Sequence, residues 1–196
     1  MTLLVVGLGN PGPRYERTRH NLGHMTVDVL AARASARWSR HRAGAYVAET
    51  RAGMLPGGVP GPRVLLAKST GYMNLSGAPV AALMRAEGID IDELLVVHDE
   101  LDIDLGTLRM KRGGGEGGHN GLKSISQNLG TRDYGRLRLG IGRPPGRMDP
   151  ADYVLQPFPK AEAEEAALMV QLAADAVGDI ATLGWEKTQM DLHTRD

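Results

Sequence analysis

Apolar residues occur in short runs that alternate along the chain with segments of helical spacing. Leu3–Val6 and Leu94–Val97 share the sequence LLVV, and an uninterrupted apolar run of this length predicts a buried strand. At 106–112 apolar and polar residues alternate, which is typical of a half-buried strand. Further short apolar runs predict strands at 45–49, 63–67 and 135–142.

Four segments carry apolar residues at helical spacing and predict helices: residues 23–38, 76–88, 122–130 and a long C-terminal helix that starts at Pro159. Ser76 is a suitable N-cap for the second helix, and Gly88 and Gly130 are suitable C-terminal stops. The Gly- and Pro-rich segment 51–62 predicts a surface loop. Strands that alternate with helices predict the α/β class with an at least partly parallel sheet. Because the sequence has no repeat or linker, we expect a single domain over residues 1–196.

The loop after the first strand contains a G-x-G-x-x-G spacing at Gly7, Gly9 and Gly12, the nominal fingerprint of a dinucleotide-binding loop. In that motif the helix begins within the glycines, with its N-terminus facing the pyrophosphate. Here two prolines and a further stretch of polar residues precede the periodic helix. The context therefore argues against a nicotinamide enzyme, which is kept as an alternative.

Polar side chains follow both LLVV strands, where ligands collect in open α/β sheets. Asn10, Tyr15 and His20 follow the first strand, and a cluster that includes His98 and Asp99 follows the second. If the strands are parallel neighbours, a histidine and a carboxylate meet at one edge. His20 then suits a general base, since imidazole titrates near neutral pH, and Asp99 suits the group that orients it. With no cysteine and no G-x-S-x-G motif, the nucleophile would be water.

Two other interpretations of these residues stay open. His20 and His24 have the i, i+4 spacing of a zinc pair, with His98, Asp99 and Asp102 as further ligands, although no H-E-x-x-H motif is present. Taken singly, His20 is also compatible with a hydrogen-bonded loop histidine and Asp99 with a turn residue.

Four asparagines lie in glycine-rich or turn-like settings: Asn10, Asn21, Asn74 and Asn120. A side-chain amide both donates and accepts, so it can bind a carbonyl or a ribose hydroxyl without adding charge. Ordinary turn chemistry is the alternative, because asparagine favours turns everywhere.

The formal net charge is zero, but the charges are unevenly distributed. Residues 105–147 contain nine Lys or Arg residues against only Glu116 and Asp133. Such a stretch forms a phosphate-binding patch if its side chains share a face, and is neutralised if they scatter. The absence of cysteine excludes disulfides and thiol catalysis in this chain. No apolar run approaches the roughly 18 residues of a membrane span and no signal-peptide pattern is present, so we expect a cytoplasmic protein.

Together these segments resemble the bacterial-type peptidyl-tRNA hydrolases. The resemblance is carried, in the family's order and spacing and over most of the chain, by VVGLGNPGPRYERTRHNLG, GYMNLSG, VVHDELDIDLGTLRMKRGGGEGGHNGLKSI and GRLRLGIGRPPG. It implies a monomeric α/β fold of one domain, with a mixed, twisted and mostly parallel sheet flanked by helices. It also implies hydrolysis of the ester that joins a peptide to the 3′ ribose of tRNA, without a metal or cofactor.

The resemblance further implies roles for individual residues. His20 would be the catalytic base, Asp99 would hold and charge-stabilise it, and Asn10 would help to discriminate N-blocked from free aminoacyl ends. The peptide and the tRNA 3′ end would contact Tyr15, Tyr72, Asn74 and Asn120, and the tRNA 5′ phosphate would contact Lys111 and Arg138.

One segment departs from the family pattern. Ser69 and Gly71 stand where the family usually has a proline and a threonine-like residue, so we expect a less rigid loop there. A non-catalytic RNA-binding relative of the same fold is the nearest alternative function, and the presence of His20, Asp99, Asn10 and Asn74 together argues against it.

Overall fold

The computed structural model describes residues 1–195. The strands are β1 (Thr2–Gly7), β2 (Ser39–His41), β3 (Ala45–Arg51), β4 (Met54–Leu55), β5 (Val59–Pro60), β6 (Arg63–Ser69), β7 (Leu94–Glu100), β8 (Leu108–Arg112) and β9 (Gly135–Gly140). The helices are α1 (Leu22–Arg33), α2 (Gly77–Glu87), α3 (Asn120–Leu129), α4 (Pro150–Tyr153), α5 (Lys160–Leu183) and α6 (Trp185–His193).

Seven strands form one mixed sheet in the order β2-β3-β6-β1-β7-β9-β8. The four central strands β6, β1, β7 and β9 are parallel, while β3 and β8 run against their neighbours. The predicted α/β class is therefore confirmed. The two LLVV runs lie in adjacent parallel strands, β1 and β7, with Leu4 opposite Leu94. Their carboxyl ends consequently meet at one edge of the sheet.

Each face of the sheet is covered by helices through a separate apolar cluster. Val5, Val97 and Leu137 point to the face covered by α1 and α5, where they pack with residues such as Val177. The alternate residues of β1 and β7, such as Leu4 and Val96, pack against α2 and α3 on the other face. Both faces of β1, β6 and β7 are thus buried, which explains their uninterrupted apolar runs.

Two glycines allow α1 to approach β1 closely. A Cβ atom on Gly7 would collide with the carbonyl oxygen of Gly23, and a Cβ on Gly23 would collide with Leu8 N and Val97 O. At the same place Leu8 N donates to Val97 O at 3.0 Å, and His24 N donates to Leu8 O at 3.1 Å. Gly7, the first glycine of the G-x-G-x-x-G spacing, therefore serves the packing of helix against sheet.

Several predicted elements differ in extent from those observed. The first helix ends at Arg33, before its predicted end at Trp38, because Ser35 has a positive φ of 50°. The predicted loop 51–62 contains the small hairpin β4–β5, and Gly184 divides the predicted C-terminal helix into α5 and α6. Ser76 does not cap α2, since its Oγ donates to Met73 O, whereas Gly88 and Gly130 do end their helices with positive φ.

Helix α5 is long and apolar enough to cross a membrane by length and composition, which the expectation drawn from apolar runs did not foresee. Half of its most apolar 18-residue window is buried inside the protein, where Ala173 and Val177 pack against the sheet. This burial is typical of a core helix.

Candidate active site

His20 lies in a short 3-10 turn, Arg19–Asn21, that joins the opening loop to α1. The backbone N–H of His20 donates to Val154 O at 2.8 Å. The adjacent Arg19 is buried, donates to Tyr153 O at 3.0 Å and lies 3.8 Å above the Tyr153 ring. These contacts hold the turn that carries His20 against Tyr153 and Val154, at the end of α4.

Asp99 lies near the carboxyl end of β7 and reaches His20 directly. His20 Nδ1 is 2.9 Å from one carboxylate oxygen of Asp99 and 3.1 Å from the other. Since an ionised carboxylate only accepts, Nδ1 carries a proton, and in the neutral ring Nε2 carries the lone pair. The structure thus brings together the histidine and carboxylate expected at this edge.

The pair has perturbed acidities. Burial by itself lowers the pKa of His20, but the charge and the hydrogen bond of Asp99 outweigh it and raise the pKa above 6.5. Burial by itself raises the pKa of Asp99, but the neighbouring imidazoles of His20 and His119 hold it well below its usual range. Asp99 is therefore a buried carboxylate that stays ionised.

His119 is a site residue that the sequence interpretation missed. Its Nε2 is 2.9 Å from Asp99 Oδ1, and its ring centroid is 4.7 Å from that of His20. The dipeptide His119–Asn120, just before the predicted helix, contains two side chains suited to a functional site, but only Asn120 was chosen as a candidate. His98 is also close, with its ring edge towards His119, and burial lowers the pKa of His98 to about 3.

A cavity of about 130 Å³ adjoins this cluster. His20, Asp99, His119 and Asn120 contribute polar groups to its lining. Leu101, Pro150, Ala151 and Val154 contribute apolar groups. A lining with both polar and apolar parts suits a substrate with both a reacting ester and carbon-rich parts.

Asn10 is buried and held on three sides. Its backbone N–H donates to Asn21 Oδ1 and its carbonyl accepts from Asn21 Nδ2, both at 2.9 Å. Its side-chain Oδ1 accepts from Met73 N at 2.8 Å, which leaves Nδ2 as the Asn10 atom that can donate to a ligand. Asn10 lines a different cavity from His20, and its two hydrogen bonds to Asn21 link it to the residue that follows His20.

Tyr15, in the opening loop, contacts Tyr72, which directly precedes the turn that holds Asn74. The rings of Tyr15 and Tyr72 meet edge to face at 6.2 Å, and Asn74 is exposed in the short 3-10 turn that follows Tyr72. At the departure from the family pattern, Ser69 Oγ accepts from Gly71 N at 3.1 Å, which compensates in part for the looser loop expected there.

Four cations of the basic stretch share one face of the sheet. Arg109 pairs with Arg138 across β8 and β9, and Lys111 pairs with Arg136, so all four side chains project to the same side. Arg136 is buried and donates to the carbonyls of Gly114, Gly115 and Arg132. Three of the other five cations of the stretch have partners of their own: Arg112 stacks on Trp185, and Arg132 and Arg143 pair with acids.

The zinc set suggested by the sequence is not assembled among the described residues. Potential ligand atoms within 4.8 Å of one another come from His20, Asp99 and His119. His119 Nδ1 accepts from Gly121 N at 3.1 Å, so its Nε2 carries a proton that a metal would have to displace. Burial and Lys68 lower the pKa of His24 to about 3, and Asp102 pairs with Arg143 at the surface.

A buried His–Asp pair at the carboxyl edge of a mixed α/β sheet is an arrangement that hydrolytic enzymes use to activate water. The particular family follows from comparison with known proteins. The chain belongs to the peptidyl-tRNA hydrolase family, whose model, described as peptidyl-tRNA hydrolase, matches residues 4–196.

Relatives and a solved structure agree with this assignment. The chain is 57% identical over 190 residues to a peptidyl-tRNA hydrolase from Kineococcus radiotolerans, covering 97% of this chain and 96% of the relative. It is 54% identical to the protein of the same name from Rhodococcus opacus, covering 98% of both. The crystal structure of peptidyl-tRNA hydrolase from Acinetobacter baumannii is similar, with a TM-score of 0.85, 32% identity and coverage of 97% and 93%.

Proposed function

We propose that the protein hydrolyses the ester bond between the peptide, or an N-blocked amino acid, and the 3′ ribose of tRNA. His20 is the general base of this reaction, and Asp99 orients it. The observation that carries the proposal is the 2.9 Å contact between His20 Nδ1 and the buried Asp99 carboxylate, which leaves Nε2 to accept a proton. Family membership supports the substrate.

The reaction proceeds by attack of a water molecule on the ester carbonyl carbon. His20 Nε2 takes a proton from the water as the new C–O bond forms, and Asp99 stabilises the resulting imidazolium. When the bond to the ribose oxygen breaks, the imidazolium returns the proton to that oxygen. The products are a peptide with a free carboxylate and a tRNA with a free 3′ hydroxyl.

Side-chain amides stabilise the negative charge that develops on the carbonyl oxygen. Asn10 suits this role because Asn21 and Met73 fix its position and leave Nδ2 to donate. Asn74 is the second candidate donor. We also assign to Asn10 the discrimination of N-blocked from free aminoacyl ends, while Tyr15, Tyr72 and Asn120 contact the peptide and the tRNA 3′ end.

The tRNA backbone binds to the face that presents Arg109, Lys111 and Arg138. Lys111 and Arg138 hold the 5′ phosphate. The shared side on which their side chains project supports this assignment. Arg136 is already committed to three backbone carbonyls and serves the protein itself.

In this proposal the enzyme acts as a monomeric single domain of residues 1–196 in the cytoplasm. It recycles peptidyl-tRNA that has left the ribosome, and it needs no metal or cofactor because water is activated by the imidazole.

The direct test of the reaction uses one tRNA in two forms. The enzyme is incubated with N-acetyl-aminoacyl-tRNA and with the same aminoacyl-tRNA carrying a free amino group, and released amino acid is counted. We expect rapid release from the blocked form and little from the free form. Binding of both tRNAs without release from either would favour a non-catalytic RNA-binding protein.

A further inference from the structure

The carboxylate of Asp99 accepts hydrogen bonds from two histidines. His20 Nδ1 contacts Oδ2 at 2.9 Å, and His119 Nε2 contacts Oδ1 at the same distance. The Asp99 side chain is only 2% exposed, so water contributes little to satisfying its charge. One buried negative charge is therefore shared between two imidazoles.

The tautomer of His119 follows from its second contact. His119 is the N-cap of α3, and its Nδ1 accepts the backbone N–H of Gly121 at 3.1 Å. The ring proton is consequently on Nε2, where it is donated to Asp99. Because both ring nitrogens are occupied, His119 has no atom left to transfer a proton to the substrate, and any effect it has on the reaction passes through Asp99.

We propose that His119 is a positioning residue that divides the charge of Asp99 and thereby keeps His20 unprotonated, and so active as a base, near neutral pH. The proposal rests on the proposed function of His20. A carboxylate with His20 as its single donor would hold the imidazolium more tightly, and the base would be blocked by a proton over more of the neutral range. His119 also fixes the orientation of the carboxylate that His20 faces.

The other charged and titratable groups around His20 leave this role to His119. From β7, His98 donates to Asp99 O through Nδ1, and burial keeps it neutral with a pKa of about 3. Glu100 lines the same cavity and is unchanged in each variant below. On β9, the charge of Arg136 also lowers the pKa of His98. The cavity residues from α4 and the position after it, Pro150, Ala151 and Val154, are apolar.

Two substitutions separate the two contacts of His119. In His119→Asn the amide oxygen takes the place of Nδ1 and still caps α3, but the side chain is too short to reach Asp99. In His119→Gln the amide nitrogen takes the place of Nε2 and still donates to Asp99, but the cap is lost. If His119 serves only as the cap of α3, the larger change in kcat/KM is expected in His119→Gln. If His119 acts through Asp99, the larger change is expected in His119→Asn.

The readout is the pH dependence of kcat/KM for N-acetyl-aminoacyl-tRNA, together with an NMR titration of the His20 ring in the free enzyme. We expect His119→Asn to move the acid limb and the His20 titration upwards by roughly one pH unit, which is about tenfold lower kcat/KM on that limb. We expect His119→Gln to titrate like the wild type, although it melts at a lower temperature.

Coincident His20 titrations of wild type and His119→Asn would overturn the proposal, as would equal shifts in both variants. If His119→Asn does not fold, His119→Ser, which also caps the helix without reaching Asp99, is titrated in its place. The NMR titration needs no turnover, so its result stands even if the wild type fails to hydrolyse the ester, which is the result that would refute the proposed function.

Discussion

At the scale of single residues, the Asp99 carboxylate determines the state of the histidines around it. It sets the proton of His20 on Nδ1 and raises the pKa of that ring, while its own pKa is held low. His98 contacts the backbone carbonyl of Asp99 rather than its charge, and burial makes His98 neutral. Three histidines thus contact Asp99 in different ways: His20 and His119 contact its carboxylate, and His98 contacts its backbone carbonyl.

Asp99→Asn tests the orientation of the base. An asparagine amide is able to donate to Nδ1 and so stabilises the wrong tautomer, and the imidazolium loses its counter-charge. We expect kcat/KM to fall by roughly 10²–10⁴-fold with the fold retained, and the acid limb to move to lower pH. Asp102→Asn, at the surface pair with Arg143, is the matched control and should keep the wild-type rate. A rate for Asp99→Asn within a few-fold of wild type would contradict this role.

The sequence predicted that His20 and Asp99 meet because each follows an LLVV run, and two such buried strands are expected to lie side by side in a parallel sheet. It could not predict the contact of His119 with Asp99, since that depends on how the glycine-rich segment 113–118 returns the chain to β7. Asn21 was noticed as an amide suited either to ligand binding or to a turn, but its two hydrogen bonds to Asn10 depend on the exact course of the loop and could not be predicted.

At the scale of elements, the close approach of α1 to β1 brings the His20 turn to the edge where Asp99 lies. Gly23 faces Leu8 N and Val97 O with no room for a side chain. Strands β1, β6 and β7 were predictable because both of their faces are buried, so each contains an uninterrupted apolar run. Edge strand β2 and the hairpin β4–β5 were not predictable, because their sequences are largely exposed and too short to carry an apolar pattern. Only their pairing with neighbouring strands identifies them as strands.

Gly23→Ala is expected to separate α1 from the sheet. An added methyl group must displace backbone, and overpacking of this kind costs about 1–3 kcal/mol of the free energy of unfolding. Gly178→Ala in α5 is the matched control, because nothing lies within 4 Å of its added Cβ and alanine favours helix. Urea unfolding of both variants measures the difference. Equal stability of Gly23→Ala and wild type would show that the helix can move without cost.

At the scale of the whole molecule, the zero net charge conceals one cationic face on β8 and β9. The sequence indicated the basic stretch but left open whether its charges scatter. The antiparallel register decides this, because Arg109, Lys111, Arg136 and Arg138 all fall on one side. Arg112, at the end of β8, stacks on Trp185 instead, and Arg132 and Arg143 pair with acids.

Lys111→Ala tests this face. Loss of one phosphate contact should weaken tRNA binding and reduce the slope of log K against log salt by about one unit at most. Arg33→Ala removes a cation that pairs with Asp175, away from this face, and should leave the slope unchanged. With tRNA lacking its 5′ phosphate, the difference between wild type and Lys111→Ala should disappear. An equal salt slope for wild type and Lys111→Ala on intact tRNA would remove Lys111 from the interface.

Buried His98 should make the stability of the molecule depend on pH. Its pKa is about 3 in the folded protein and near 6.5 when unfolded, so the unfolded chain binds the extra proton as pH falls below 6.5. We expect His98 to cost about 2 kcal/mol of stability at pH 5. His20 opposes this loss, because its raised pKa adds stability below pH 6.5 that is lost as pH rises through its folded pKa.

Urea unfolding at pH 7.5 and pH 5 measures this dependence, with His98→Asn for comparison. The amide introduced by this substitution replaces the Nδ1 donor but does not titrate, so the pH dependence should become shallower. Parallel pH dependences of wild type and variant would mean that His98 is not buried as a neutral group.

The claim that His20 is the base for hydrolysis of peptidyl-tRNA is tested most directly by the release of N-acetyl-amino acid from charged tRNA by wild type and His20→Ala. His41→Ala removes an imidazole on β2, remote from Asp99, and serves as the control. We predict that His20→Ala folds and binds tRNA like the wild type but loses at least about 10²-fold in kcat/KM, while His41→Ala keeps its rate. Turnover by His20→Ala close to that of the wild type would contradict the mechanism.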